Sequence, residues 1–252
     1  RTILALCRDF MDDIPTYTFF HHHFSERTAD VVIPQEIAGK FDFEHLVLRH
    51  TDMPLEALAK CQDKLGSMIN PSELQNVWTY FVSGLSGYTR LDGGVSTLAR
   101  SDFGRDLPES LATSSYLVTK THNYSKENRR QVKRWNSDIQ VYAEESCISK
   151  FDLFYWEHRM GNWSANSYLN SDLLISSLNI FNCRTVIENW LRVPRRDRMN
   201  GQINKKIIKL NWPELLEIPF NPDDKYRLFY KSRLAYYSAV RGKYLLERFK
   251  YE

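Results

Sequence analysis

The sequence predicts an α/β protein: a partial, doubly wound parallel sheet followed by a mostly helical C-terminal subdomain. Three observations lead there. Segments of helical period alternate with short segments rich in β-formers over residues 1–50, and the connections between them are short. From Ser125 onward the apolar residues keep to helical periods, with no clear alternating strand. The expected division is an α/β part over residues 1–124 and a helical subdomain over 125–252.

Each element has its own signal. Ile3, Leu4, Leu6, Cys7, Phe10 and Met11 recur at helical spacing, and Asp12-Asp13 followed by Pro15 ends that helix. Tyr17-Thr18-Phe19-Phe20 predicts a strand. Val31, Val32, Ile37 and Ala38 predict a helix stopped near Gly39, and Phe43 to Leu48 a second strand. This α, β, α, β order is the pattern of parallel βαβ units. Pro54 to Met68 reads as helix, Ser72-x-x-Gln75 as a capping box, and Val77 to Val82 as a third strand. Ser83 to Gly94, with four glycines, reads as a loop where backbone N–H groups can approach an anion. Phe151 to Arg159 and Ile180 to Leu191 read as helices, Trp212-Pro213 as a break, and Pro222-Asp223-Asp224 as the start of a last helix with acids at its positive end.

Composition narrows the classes. With 42% hydrophobic and 13% aromatic residues and a net charge of +3, the chain has the means to build a core, which excludes general disorder. No apolar run approaches the roughly 18 residues of a membrane span. No signal peptide is visible. Cys7, Cys61, Cys147 and Cys183 are widely separated, without C-x-x-C or C-x-x-H, so they are expected to be reduced core thiols in a cytoplasmic protein. From Arg184 to the end there are 16 Lys or Arg against 8 Asp or Glu, which makes that stretch basic and the remainder acidic. No nucleic-acid recognition signature accompanies the charge, so nucleic acid is not the expected partner. Arg129, Arg130, Lys133 and Arg134 are expected on a solvated helix face. In His21-His22-His23, successive residues on a strand face opposite ways, so at most His21 and His23 would share an ion, and no metal site is expected. His45 is expected at the carboxyl edge of the sheet, where ligands sit in open α/β folds.

Three ordered stretches resemble the C-terminal synthetase domain of the asparagine synthetase family, within the PP-loop ATP pyrophosphatases. The first is Arg1 to Leu6, similar to the helix that follows the family's S-G-G-x-D-S loop, continuing through Tyr17 to His21, Asp30, Ile37-Ala38 and Phe43-Glu44-His45. Val82-Ser83-Gly84 with Gly93-Gly94 resembles the second nucleotide loop, with Leu85, Tyr88 and Thr89 where the family has acids. Ser177-Leu178-Asn179 to Val193-Pro194 and Trp212 to Asn221 resemble two later segments, with Cys183 at an Asp position and Asn221 at the position of a lysine.

The resemblance implies that residues 1–124 are a nucleotide-binding part lacking its first strand and phosphate loop, from a longer parent enzyme. It implies ATP and Mg2+ as cofactors, a carboxylate substrate, and an N-terminal glutaminase domain or a separate ammonia source. The implied reaction is attack of the carboxylate on the α-phosphorus, releasing pyrophosphate, then displacement of AMP by an amine to leave an amide. Phe20, His21, Ser83 and Gly84 would line the nucleotide, and Arg159, Lys205 and Lys209 would serve the carboxylate or pyrophosphate. No catalytic base is assigned, and residues 1–252 alone are expected to be inactive. The rivals are a pseudoenzyme that keeps the fold without catalysis and, less favoured, a nucleic-acid binder using the basic C-terminal helices.

Overall fold

The computed structural model describes residues 1–21, 23–66, 71–103, 107–199 and 201–220, and the single positions 238, 242 and 246. In chain order the elements are α1 (Thr2–Leu6), β1 (Thr16–Phe20), α2 (Ala29–Phe41), β2 (His45–Arg49), α3 (Leu55–Leu65), α4 (Pro71–Tyr80) and β3 (Arg90–Asp92). There follow α5 (Ser114–Thr121), α6 (Lys126–Asp138), α7 (Gln140–Ser146), α8 (Lys150–Phe154) and α9 (Ala165–Ser171). The last are β4 (Ser177–Asn179), α10 (Arg184–Arg192), α11 (Arg195–Arg198) and α12 (Gln202–Asn211). The protein is α/β and mostly helical, and among the described residues the strands form two small parallel sheets, β1–β2 and β3–β4. The helix expected from Pro222, and Asn221 before it, lie outside the described residues.

Two compact units interleave along the chain. One comprises Arg1–Gly94, Asn162–Asn182 and Asn204–Pro222; the other Val95–Gly161, Cys183–Ile203 and Asp223–Glu252. Position 124, expected as a boundary, falls within the second unit, because α5 and α6 on either side of it share one apolar cluster.

In the first unit the sequence order α, β, α, β builds a parallel pair. Thr16 lies opposite His45 and Phe20 opposite Arg49, with α2 as the crossover packed on both strands. The helix stops at Asp42, whose φ of 55° breaks the helical path. Ala5, Ile37, Ile208, Trp212, Leu215 and Ile218 form one cluster, tying α1 and α2 to α12 and the Pro213–Leu216 turn. Tyr17, Phe19, Leu46 and Leu48 of the strands meet Val77, Tyr80 and Leu85 in another.

Residues 77–82, expected as a strand, instead continue α4. Leu74 (0% exposed), Val77 (1%) and Tyr80 (2%) recur every three residues, so one helix face is sealed, and that burial outweighs the β-forming composition. Gln75 is not available for a capping box: its Oε1 accepts the Met53 N–H at 2.6 Å. After Tyr80 the helix widens through Phe81–Leu85, and its path is broken at Gly84, whose φ of +80° favours glycine. The second half holds a strand after all, β4, which pairs in parallel with β3: Arg90 opposite Ser177, Leu91 opposite Leu178, Asp92 opposite Asn179.

The second unit is helical. Thr113, Ser125 and Ser149 cap α5, α6 and α8 through their hydroxyls, each accepting a first-turn N–H. Leu107, Leu117, Val118, Val132, Phe151 and Phe154 make its core. Arg130, Lys133 and Arg134 are exposed on α6 as the charges predict, Arg129 is half-buried, and Val132 is buried. The core-thiol expectation is corrected for two cysteines. Cys61 is buried and Cys7 half-buried, but Cys147 and Cys183 are exposed, one closing α7 and one opening α10, at helix ends that face water.

Candidate functional site

The carboxyl ends of β1 and β2 gather an aromatic and basic cluster. Chain geometry brings this about: parallel strands joined by a helix deliver both strand ends to the same edge. Phe20 closes β1 and His21 follows it, while Arg49 closes β2 directly opposite Phe20. The Arg49 guanidinium lies over the Phe20 ring at 4.5 Å and its Nη2 is 2.5 Å from Glu26 Oε1. The rings of His21 and His23 stack at 5.6 Å and 13°, and Phe24 stands edge-on to both, at 5.1 and 4.7 Å. Flat rings beside a guanidinium suit a planar, electron-rich ligand. Among the described residues no group of three His, Cys, Asp or Glu side chains that could hold an ion is found.

Ser83 and Gly84 follow a helix rather than a strand. The Ser83 hydroxyl donates to the Thr79 carbonyl at 2.6 Å, one turn back, and both residues are exposed. The strand that feeds a glycine loop is β3, leading into Gly93-Gly94. At its carboxyl end Asp92 Oδ1 accepts the Gly94 N–H at 2.6 Å and the Tyr168 hydroxyl at 2.7 Å. Burial, reinforced by the Asp92 carboxylate, pushes the Tyr168 phenol well above its usual range, so the proton stays on Tyr168. Arg90 Nη2 donates to Ser171 Oγ at 3.2 Å. Tyr17, half-buried against Tyr80 of α4, is pushed up to about 12 by desolvation although Arg90 pulls the other way. Sequence reasoning missed Asp92 and Tyr168. The available signal was an acid directly before a Gly-Gly pair and after an apolar residue.

The remaining expected residues are dispersed. Lys205 and Lys209 are exposed on α12. Arg159 belongs to the other compact unit. The expectation for His45 is reversed: it opens β2 rather than ending it, and so lies at the amino edge of the pair. There its Nδ1 is 2.8 Å from Thr16 Oγ1, and burial lowers its pKa.

Compared with known proteins, the chain matches no family model, no curated protein and no solved structure.

Proposed function

We propose that the chain carries the nucleotide-binding region of an asparagine synthetase-like, ATP-dependent amide-forming enzyme. The observation that carries this reading is the aromatic and basic cluster of Phe20, His21, Phe24 and Arg49 at the carboxyl edge of a parallel βαβ pair. Phe20 and His21 would line the adenine, with Arg49 held against the Phe20 ring and by Glu26. Asp92, held by Gly94 and Tyr168 through Oδ1, presents a carboxylate at the end of β3. A carboxylate fixed by two donors can hold an incoming amine and take its proton as the amide forms. Among the described residues no group of three His, Cys, Asp or Glu side chains is placed to hold a metal by itself. Mg2+ would enter on the phosphates of the nucleotide, as this ion commonly does.

One observation favours binding without catalysis as a second reading. Ser83 satisfies its hydroxyl inside its own helix, and Leu85, where the resemblance puts an acid, is buried among apolar side chains. Calorimetric titration of ATP with Mg2+ separates the outcomes. Saturable binding weakened by Phe20→Ala and His21→Ala supports the nucleotide site, and no binding overturns it. Pyrophosphate release on adding a carboxylate supports the enzyme, and binding without release supports the second reading.

A further inference from the structure

The turn that follows α12 aims three backbone carbonyls at one group. Arg1, the N-cap residue of α1, donates from Nη1 to Leu215 O at 3.3 Å and to Ile218 O at 2.5 Å, and from Nη2 to Pro219 O. Its guanidinium carbon lies 4.2 Å from the centre of the Phe220 ring. Three acceptors with no donor among them call for a cation, and a flat ring as a wall calls for a planar one. The guanidinium fork meets both demands, whereas an ammonium is a compact, strongly hydrated point charge. Burial draws the Arg1 pKa down and the Glu36 carboxylate of α2 pulls it up, and a guanidinium stays charged through either.

The cradle is held in shape from its other side. Leu215 (0% exposed) and Ile218 (3%) are fixed in the cluster that holds Ile37, Ile208 and Trp212. The Leu215 N–H donates to the Trp212 carbonyl and the Glu217 N–H to the Glu214 carbonyl, both at 3.2 Å, and the Glu217 carboxylate is paired with Lys40 of α2 at 2.6 Å. None of these contacts passes through the Arg1 side chain. Phe220 is 46% exposed, so the ring wall of the cradle is open to solvent.

We propose that the Leu215–Phe220 turn is a preformed binding site for a guanidinium group, with Arg1 as its intramolecular ligand. An arginine-like ligand takes the same place from solution once the Arg1 side chain is withdrawn. This inference does not rest on ATP binding at the edge of β1–β2, and its test contains no nucleotide. The test uses the 252-residue chain carrying Arg1→Ala, checked for folding by circular dichroism, with ethylguanidinium as the probe and thermal shift and calorimetry as the readouts. Ethylguanidinium is expected to stabilise this variant saturably, with a half-effect on the order of millimolar for so small a ligand. Ethylammonium at the same ionic strength should not saturate, and the unsubstituted chain, whose cradle is filled, should show no saturable shift. Adding Phe220→Ala should weaken the probe about two- to fivefold by removing the ring wall. If Arg1→Ala does not fold, Arg1→Lys, which keeps the charge and loses the fork, carries the same titration. A flat ethylguanidinium titration, an equal response to ethylammonium or in the unsubstituted chain, or indifference to Phe220→Ala would overturn the proposal and leave Arg1 as a tether only.

Discussion

Arg198 and Asp152 form an ion pair at 2.7 Å with both side chains 2% exposed, and the rest of the guanidinium is spent on the carbonyls of Val193 and Leu98. The pair joins α8 to α11 inside the helical unit. Removing one partner leaves a buried charge with nothing opposite it. Asp152→Ala should therefore destabilise by about 3–5 kcal/mol, measured by urea denaturation. An effect below about 1 kcal/mol, the value of exposed pairs, would mean that water reaches the site.

Each unit holds a histidine whose pKa is lowered, His45 by burial and His158 by burial and then by Arg159. The folded state prefers both rings neutral, while the unfolded chain protonates them near the ordinary value of about 6.5. The unfolded state then binds more protons, so stability is full above that value and falls as pH drops through it toward the folded pKa values. Melting temperature should decline between about pH 6.5 and 5. His45→Asn should flatten part of that decline; an unchanged slope in this variant would remove His45 as a contributor.

The phenols behave in the opposite direction. Tyr17 is pushed up to about 12, and Tyr80, Tyr155 and Tyr168 are raised as well, each chiefly by burial. Stability from these groups is present below the ordinary value of about 10 and is lost as pH rises through the raised values. Ultraviolet titration should show a late phase, and Tyr17→Phe should reduce its amplitude. A single early phase would count against this environment.

Thiol reactivity should separate the four cysteines. Cys147 and Cys183 are exposed and should react with an aromatic disulfide reagent at once. Cys61 is buried and should react only on unfolding, and Cys7, whose pKa burial raises, should lag behind the exposed pair. Four equal rates would contradict the packing of α3.

Leu74 is wholly buried on α4. Leu74→Ala should cost about 2–5 kcal/mol, the range for cavities left in a packed core. A loss near zero would mean that this face of α4 is not sealed.

The first βαβ unit was legible because its elements are long enough to show a period, and local composition agrees with what the strands and α2 bury. Residues 77–82 misled because valine, tyrosine and phenylalanine favour strands, whereas Leu74, Val77 and Tyr80 obey a spacing set by packing. Strands β3 and β4 have three residues each, too few to show alternation, and each depends on a partner distant in sequence. At the site, Phe20 and His21 were legible as the end of a strand. Asp92 was not, because its strand was hidden inside a glycine-rich stretch. Tyr168 could not be found from sequence, since only the fold brings it to Asp92.

The interleaving of the two units has a consequence for synthesis on the ribosome. The helical core built from Leu107 to Phe154 is complete in one continuous stretch of chain, with short loops to close. The first unit begins earlier but finishes later: Ala5 and Ile37 wait for Ile208, Trp212 and Leu215, and β3 waits for β4. The β1–β2 pair meets α2 and α4 early, but the apolar side holding Ala5 and Ile37 stays uncovered, and β3 stays unpaired, until the later segments are made. For this stretch, slow elongation lengthens exposure rather than aiding folding, and chaperone demand should be highest while residues 95–203 are being made.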